Sequence, residues 1–202
     1  NFFAVAAEPG SDLAPVRGLR RLAQTTTGVE YLQRAKLTAD DGAFADIFGN
    51  SVSIDGDTMV IGAVYDDDNG DNSGSAYVFT RNTAGNLTSG WTQVAKLTAD
   101  AGGPAHDKFG HSVSIDGDTM VIGVREDDDP ANSGSAYVFA RVTAGDLTSG
   151  WTQVAKLTAD DGTGYDRFGY SVSIDGDTVV VGAQTDDDEG DNSGSAFVFT
   201  RD

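Results

Sequence analysis

Aspartate residues are clustered at three places in the chain, in similar sequence contexts. The segments are DDDNGDN from Asp66, DDDPAN from Asp127 and DDDEGDN from Asp186. Adjacent carboxylates repel one another unless a positive charge lies among them, and calcium takes oxygen ligands from such loops. We therefore expect calcium here, and solvated acids that keep loop edges soluble are the alternative. The candidate ligands are Asp66, Asp68 and Asp71, then Asp127 and Asp129, then Asp186, Asp188 and Asp191.

Motifs that indicate catalysis do not occur in the sequence. His106 and His111 are the only histidines, and neither belongs to the pattern that the similar segments share. There is no nucleophile elbow, phosphate-binding glycine loop or histidine-based metal motif. Carboxylates suited to a glycosidase-like acid pair are abundant, but no unique pair stands out. We therefore predict a non-catalytic protein.

The chain is strongly acidic, with a formal net charge of −19 over 202 residues. This charge argues against nucleic acid and anionic membrane surfaces as partners. No apolar run is long enough to span a membrane, so we expect no membrane insertion. The chain has no cysteine and begins at Asn1 rather than Met. Such a start fits either processing during export or a trimmed chain; we favour export, which predicts an extracellular or cell-surface location.

Three near-identical units follow one another at a spacing of about 60 residues, beginning at Phe48, Phe109 and Phe168. Each opens with Phe-Gly, continues through SVSIDGDT and an acidic loop, and reaches GSAYVF or GSAFVF. The alternating apolar residues around the Asp-Gly turn predict a hairpin, and two further strands follow, the last being WTQVAKL. We therefore predict an all-β fold of three four-stranded antiparallel blades, with a β-trefoil as the rival arrangement.

These units resemble FG-GAP repeats, which form the blades of integrin-α-like β-propellers, and the resemblance covers residues 31–202. It implies a non-catalytic extracellular adhesion or scaffold propeller, often with calcium in loops of the form D-x-D-x-D-G-x-x-D. The chain departs from the family pattern in two respects. Three units are fewer than the usual blade number of about seven. In the first acidic loop, Gly70 stands at the third acidic position.

The segment YLQRAKL, residues 31–37, is a copy of WTQVAKL at residues 91–97 and 151–157, but it precedes all three units. The third unit has no such strand after it. An added N-terminal strand would cover the exposed edge of the last blade. We therefore predict that residues 31–37 complete that blade, either within one chain or between chains.

Residues 1–30 form a predicted assembly arm ahead of the repeat domain, residues 31–202. The arm has apolar residues near its tip and a basic stretch further on, and Tyr31 follows it; the predicted assembly residues are Phe2, Phe3, Arg17, Arg20, Arg21 and Tyr31. A basic arm on an acidic body should dock on another copy, and head-to-tail contacts propagate into rings or filaments. We expect a self-assembling structural or adhesive protein.

A ligand-binding role is the alternative function. Trp91 and Trp151 are flat aromatic residues able to stack on sugars, and packing on the next blade is the other interpretation of them. Asn86 begins an NLT motif, which is an acceptor pattern for N-glycosylation. The alternative is therefore a calcium-dependent, lectin-like or protein-binding propeller whose partner is a glycan or a protein.

Overall fold

The structure, a computed structural model, describes residues 23–24, 30–99, 106–127 and 132–202. The chain divides into two compact units, residues 1–36 and residues 37–202. In the first unit, two short strands, β1 (Ala23–Gln24) and β2 (Glu30–Tyr31), pair antiparallel. The second unit contains the three repeats.

Each repeat forms one antiparallel sheet, called a blade, whose strands follow chain order. Blade 1 consists of β3 (Phe48–Asp55), β4 (Thr58–Ala63), β5 (Ser75–Arg81) and β6 (Trp91–Leu97). Blade 2 consists of β7 (Phe109–Asp116), β8 (Thr119–Val124), β9 (Ser135–Arg141) and β10 (Trp151–Leu157). Blade 3 consists of β11 (Phe168–Asp175), β12 (Thr178–Ala183) and β13 (Ser195–Thr200). The described ranges contain strands and no helix. The predicted all-β, propeller-like fold of three antiparallel blades is confirmed.

The hairpin that opens each blade has the register that its sequence predicts. In blade 1, Ile54 lies opposite Met59, and Val52 lies opposite Ile61. Gly56 in the turn has a φ of 51°, a left-handed conformation that glycine adopts without a Cβ penalty. Alternation of apolar and polar residues therefore fixes the face that each side chain occupies.

The WTQVAKLTA segment joins two consecutive blades. Its strand β6 pairs with β5 of blade 1, whereas Leu97 and Ala99 pack in the core that contains Phe109 of blade 2. The first copy behaves in the same way at its carboxyl end, because Leu37 and Ala39 pack against the core of blade 1. The first copy therefore contributes to the blade that follows it.

Blade 3 has β13 as its outer edge among the described residues, because its sheet has three strands. Within residues 31–37 only Tyr31 lies in a strand, β2, and that strand pairs with β1. Completion of the last blade by residues 31–37 is therefore not seen in the described chain, and it stays a prediction for contacts between chains. An extended segment needs an adjacent edge to satisfy its backbone groups, as β6 uses β5.

Candidate functional site

The first aspartate cluster surrounds a lysine on the outer strand of blade 1. Lys96, on β6, has its Nζ 2.9 Å from Asp66 and 2.8 Å from Asp41, and it also pairs with Asp68. Asp66 is buried, and its carboxylate accepts a hydrogen bond of 2.6 Å from Tyr77 Oη. The positive charge that clustered carboxylates require is thus provided by the chain itself.

The charged forms of this cluster are favoured at neutral pH. Burial raises the pKa of Asp66, but the hydrogen bond from Tyr77 and the Lys96 ammonium outweigh burial, so the pKa lies below its ordinary value. Desolvation lowers the pKa of Lys96, and its hydrogen bonds to Asp41 and other acids reverse the effect, so this pKa is raised. The ion pairs therefore stabilise the joint between β6 and the acidic loop.

The second cluster repeats this arrangement with Asp127. This residue is buried, and Lys156 on β10 has its Nζ 3.1 Å from the Asp127 carboxylate. Ser135 Oγ, at 2.6 Å, and Tyr137 Oη, at 3.1 Å, donate hydrogen bonds to the same oxygen. Desolvation lowers the pKa of Lys156, but the hydrogen bond to Asp127 and its charge outweigh it, so the pKa is raised. The other predicted ligand, Asp129, lies outside the described residues.

The third cluster has the acids in a different electrostatic setting. Asp186 and Asp188 hold the positions of the first cluster's acids, but Phe197 replaces the tyrosine and so donates no hydrogen bond. The charges of Asp186 and then Asp161 raise the pKa of Asp188. This direction is opposite to that of the Asp66 pKa, because carboxylates rather than an ammonium surround Asp188.

In blade 1 the Lys96 ammonium lies where the carboxylates of Asp41, Asp66 and Asp68 converge, and in blade 2 Lys156 pairs with Asp127. In the part of the chain that the structure describes, no group of three or more acidic, histidine or cysteine side chains is arranged to hold a metal. Asp71 and Asp191 are exposed in their loops. Calcium binding stays a prediction, and it applies best to blade 3.

The tryptophans that begin β6 and β10 lie over arginines. Arg81 Cζ is 4.2 Å from the centroid of the Trp91 ring, and Arg141 Cζ is 4.4 Å from that of Trp151. Arg81 also pairs with Asp57 in the hairpin turn of its own blade, at 2.6 Å. Cation–π stacking on an arginine is therefore an interaction that both tryptophans make within their own blade, and sugar stacking by them stays a prediction.

Successive blades pack through opposite faces of the sheet. Ser51 Oγ donates a hydrogen bond of 2.7 Å to the Gly110 carbonyl, and Ser53 Oγ accepts one of 3.2 Å from the Ile115 amide. The equivalent serines of blade 2 make the same two bonds to blade 3, at 2.8 and 3.1 Å. We call the serine side of a blade its back face and the opposite, Val-and-Ile side of the first strand its front face. Each back face thus receives the front face of the following blade.

A glycine on each back face allows this close approach. A Cβ atom added at Gly62 would lie 2.0 Å from the carbonyl oxygen of Gly110, and one added at Gly123 would lie 2.0 Å from that of Gly169. At Gly182 on blade 3, the nearest atom to such a Cβ is Oγ of a serine in the same blade, at 2.5 Å. Backbone-to-backbone contact between blades therefore depends on glycine.

Among the described residues, the back face of blade 3 is exposed, and so is the first strand on the front face of blade 1, although Ile61 opposite Val52 is buried. On the back face of blade 3, Val198 is 66 % exposed, whereas its equivalent Val78 in blade 1 is 0 % exposed. On the front face of blade 1, Val52 is 68 % exposed, whereas its equivalent Val113 in blade 2 is 9 % exposed. In the part of the chain that the structure describes, blades 1 and 3 therefore do not cover Val52 and Val198.

The other predicted sites are placed as follows. Asn86 is exposed in the loop between β5 and β6, and its Oδ1 accepts hydrogen bonds of 3.0 and 2.8 Å from the amide and hydroxyl of Thr88. Glycosylation of Asn86 stays a prediction. Tyr31 is exposed. The remaining assembly residues lie outside the described residues: Phe2, Phe3, Arg17, Arg20 and Arg21.

Sequence reasoning missed the partners of the acids, which are Lys96, Lys156, Tyr77 and Tyr137. A signal for the lysines was present. The chain has 13 Lys and Arg against 32 Asp and Glu, yet a lysine recurs at the same position of every WTQVAKL copy. A recurring cation in such an acidic chain predicts an ion pair.

Comparison with known proteins agrees with the repeat pattern. Residues 31–79, 91–139 and 151–199 each match the FG-GAP repeat. A comparison with curated proteins gave no match. In the described part of the chain, no helix is long and apolar enough to cross a membrane. Since the three matches cover most of the sequence, and each contains the first two strands and most of the third strand of one blade, the chain belongs to the FG-GAP repeat family.

Proposed function

We propose that this protein is a non-catalytic, extracellular structural or adhesive module that assembles head-to-tail with further copies of itself. The observation that carries the proposal is the pair of uncovered apolar faces, at Val52 on blade 1 and Val198 on blade 3. Exposed apolar surfaces of this kind mark interaction sites. FG-GAP repeats are typical of extracellular or surface propellers that bind proteins.

The two exposed surfaces belong to a back face and a front face, and these are the two faces that pack on each other between consecutive blades. The back face of blade 1 receives the front face of blade 2, and the back face of blade 2 receives that of blade 3. The back face of blade 3 therefore suits the front face of blade 1 in another copy. Such a contact joins two different surfaces, so it extends into a closed ring or a filament.

The polar clusters support a structural role. Lys96 and Lys156 pair with the acids of their own molecule, which engages these groups in holding the outer strand of a blade to the acidic loop of the same blade. The alternative function, calcium-dependent ligand binding, would rely on the acids of blade 3. The melting experiment described in the Discussion separates the two functions.

Light scattering of the full chain at micromolar concentration tests the proposal. We expect particles heavier than the 21.0 kDa chain. Val198→Asp should shift them towards the monomer, because a charge would then have to be desolvated at the contact. The matched control is Val142→Asp, since Val142 is 64 % exposed and lies in the loop after β9. A monomeric full chain contradicts the proposal.

The predicted arm is tested in the same assay. Replacing Arg17, Arg20 and Arg21 by Glu should weaken assembly, and the loss should be greater at low salt because the arm acts by charge attraction. Deletion of residues 1–30 should also weaken assembly. If both variants assemble like the full chain, the arm does not contribute to the contact.

A further inference from the structure

The outer strands of blades 1 and 2 show what the edge of blade 3 is built to receive. In blade 1, Lys96 lies opposite Tyr77, and Trp91 lies opposite Arg81. Blade 2 has the same register between β9 and β10. Each outer strand thus brings one lysine to the acids and one aromatic ring to the arginine.

The edge of blade 3 has the arginine and the acids that such an outer strand would contact, but no fourth strand among the described residues. Arg201 follows β13 directly at the position of Arg81, and its side chain is 67 % exposed, against 9 % for Arg81 beneath Trp91. Asp186 is buried and Asp188 is exposed beside it. In the described residues, carboxylates are the main charges that act on Asp188, and they raise its pKa.

Residues 31–37 contain the missing partners at the same spacing. In YLQRAKL, an aromatic residue begins the segment and a lysine stands at its sixth position, as in WTQVAKL. Tyr31 corresponds to Trp91, and Lys36 corresponds to Lys96. Both Tyr31 and Lys36 are exposed. Beyond Tyr31, the described residues of this segment lie outside strands.

We propose that residues 31–37 of a second copy add to β13 as the fourth strand of blade 3, with Lys36 among Asp161, Asp186 and Asp188 and Tyr31 over Arg201. This inference rests on the proposed function and names its contact. The cluster is more than a group of acids, because its equivalent in blade 1 binds a lysine Nζ.

The same strand brings the rest of blade 1 to the contact. Leu37 and Ala39 already pack on the core of blade 1 in their own chain. A strand added at β13 therefore carries the front face of its blade, with Val52, towards the back face of blade 3, with Val198. In the same way, β6 pairs with the edge of blade 1 and continues into blade 2, whose front face packs on the back face of blade 1. The strand and the apolar faces form a single interface.

Disulfide trapping tests the strand register. Thr80 lies opposite Thr92 in blade 1, so Leu32 of one copy should lie opposite Thr200 of the other. Cα atoms of antiparallel partners are about 4.5–5.5 Å apart, within the range of a disulfide. The chain has no cysteine, so Leu32→Cys chains mixed with Thr200→Cys chains can form only engineered disulfides.

We expect the mixture to give a disulfide-linked dimer that contains one chain of each kind, identified by mass spectrometry of the linked peptides. The matched control replaces Leu32→Cys by Leu87→Cys, because Leu87 is exposed in a loop of blade 1. A yield of the mixed dimer no higher than that of the control overturns the proposed pairing.

Charge reversal tests the lysine contact on the intact chain. Lys36→Glu should weaken assembly about tenfold or more, because a like charge then faces the acids of blade 3. The matched control is Arg34→Glu, which makes the same change of charge in the same segment. Arg34 is expected to face solvent, since its equivalent Val94 lies in the bulge of β6 and is exposed. The double variant Lys36→Glu/Asp188→Lys should recover assembly.

The outcomes separate the two proposals. If the wild-type chain is a monomer, both fail. If it assembles but Lys36→Glu is no weaker than Arg34→Glu, the strand exchange is wrong and head-to-tail assembly stands on other contacts. If Lys36→Glu weakens assembly and the double variant recovers it, the strand exchange is supported.

Discussion

Lys96→Met should destabilise the fold by about 2 kcal/mol. Methionine keeps much of the apolar stem and removes the ammonium group that Asp66 and its neighbours share. Loss of one partner from a buried ion pair costs about 3–5 kcal/mol. The lower value applies here, because Asp66 has a side chain 4 % exposed while those of Asp41 and Asp68 are 43 % and 64 % exposed. Water reaches the carboxylates of Asp41 and Asp68, so we expect a loss of stability somewhat below that range.

Urea unfolding followed by tryptophan fluorescence measures this change, since Trp91 begins the strand that carries Lys96. Arg34→Met is the matched control, because Arg34 is exposed. Asp66→Asn should cost less in the Lys96→Met background than in the wild type, since the charge it removes is then unpaired. A change of less than about 0.5 kcal/mol for Lys96→Met refutes the reasoning, because such values are typical of solvated surface residues.

The pH dependence of the same variant has a defined sign. The pKa of Asp66 lies below its ordinary value of 3.8, so the stability from its pairing is present above that pH and is lost as the pH falls through the lowered pKa. The difference between wild type and Lys96→Met should therefore shrink in acid. A difference that stays constant in acid would show that Lys96 acts through packing alone.

Three further predictions concern the blade interfaces and the metal. Desolvation, and then the charge of Arg125, lower the pKa of His111 below its ordinary value of 6.5, so stability should fall as the pH falls from 6.5 through the lowered pKa. Asn50, in the equivalent position of blade 1, donates a hydrogen bond of 2.9 Å to the next blade, so asparagine fits this position. Melts at about pH 5 and pH 7.5 should therefore show a loss of stability in acid for the wild type and not for His111→Asn. An equal loss in the variant contradicts this prediction. Gly123→Ala should cost about 1–3 kcal/mol in urea unfolding, because its Cβ would lie 2.0 Å from a carbonyl oxygen of blade 3, and Gly182→Ala should cost less. Equal costs would show that the contact between blades is not the cause. Calcium bound at blade 3 should raise Tm, because a hundredfold excess over Kd stabilises the fold by about 2.7 kcal/mol, and a chelator should reverse the rise. If neither calcium nor the chelator changes Tm at low ionic strength, the protein does not bind calcium in this way.

The hairpins and the number of blades could be predicted from the sequence because their causes are local. The alternation around Gly56 places Val52 opposite Ile61, and this register needs no information from elsewhere in the chain. The lysine clusters depend instead on how β6 aligns with β5 across the repeat. Lys96 reaches Asp66 only in the register that the bulge in β6 sets, and no local pattern specifies that bulge.

The uncovered faces could not be predicted from pattern alone. Val52 and Val113 occupy the same place in the same motif, yet one is exposed and the other is buried. Val113 packs in the core that it shares with Val60 and Val78 of blade 1, whereas no described blade packs on Val52. Likewise, the residues of YLQRAKL favour a strand, but a strand forms only beside an edge that accepts its hydrogen bonds.

The sharing of strands between consecutive repeats has a consequence for the evolution of chain length. Blades 1 and 2 take their outer strands from the FG-GAP match that follows, because β6 lies in residues 91–139 and β10 lies in residues 151–199. A tandem duplication of any window of about 60 residues therefore adds one full set of strands, wherever in the repeat the window begins. The new blade finds a matching front and back face on its neighbours. Unequal recombination can thus change the copy number without inventing a new surface.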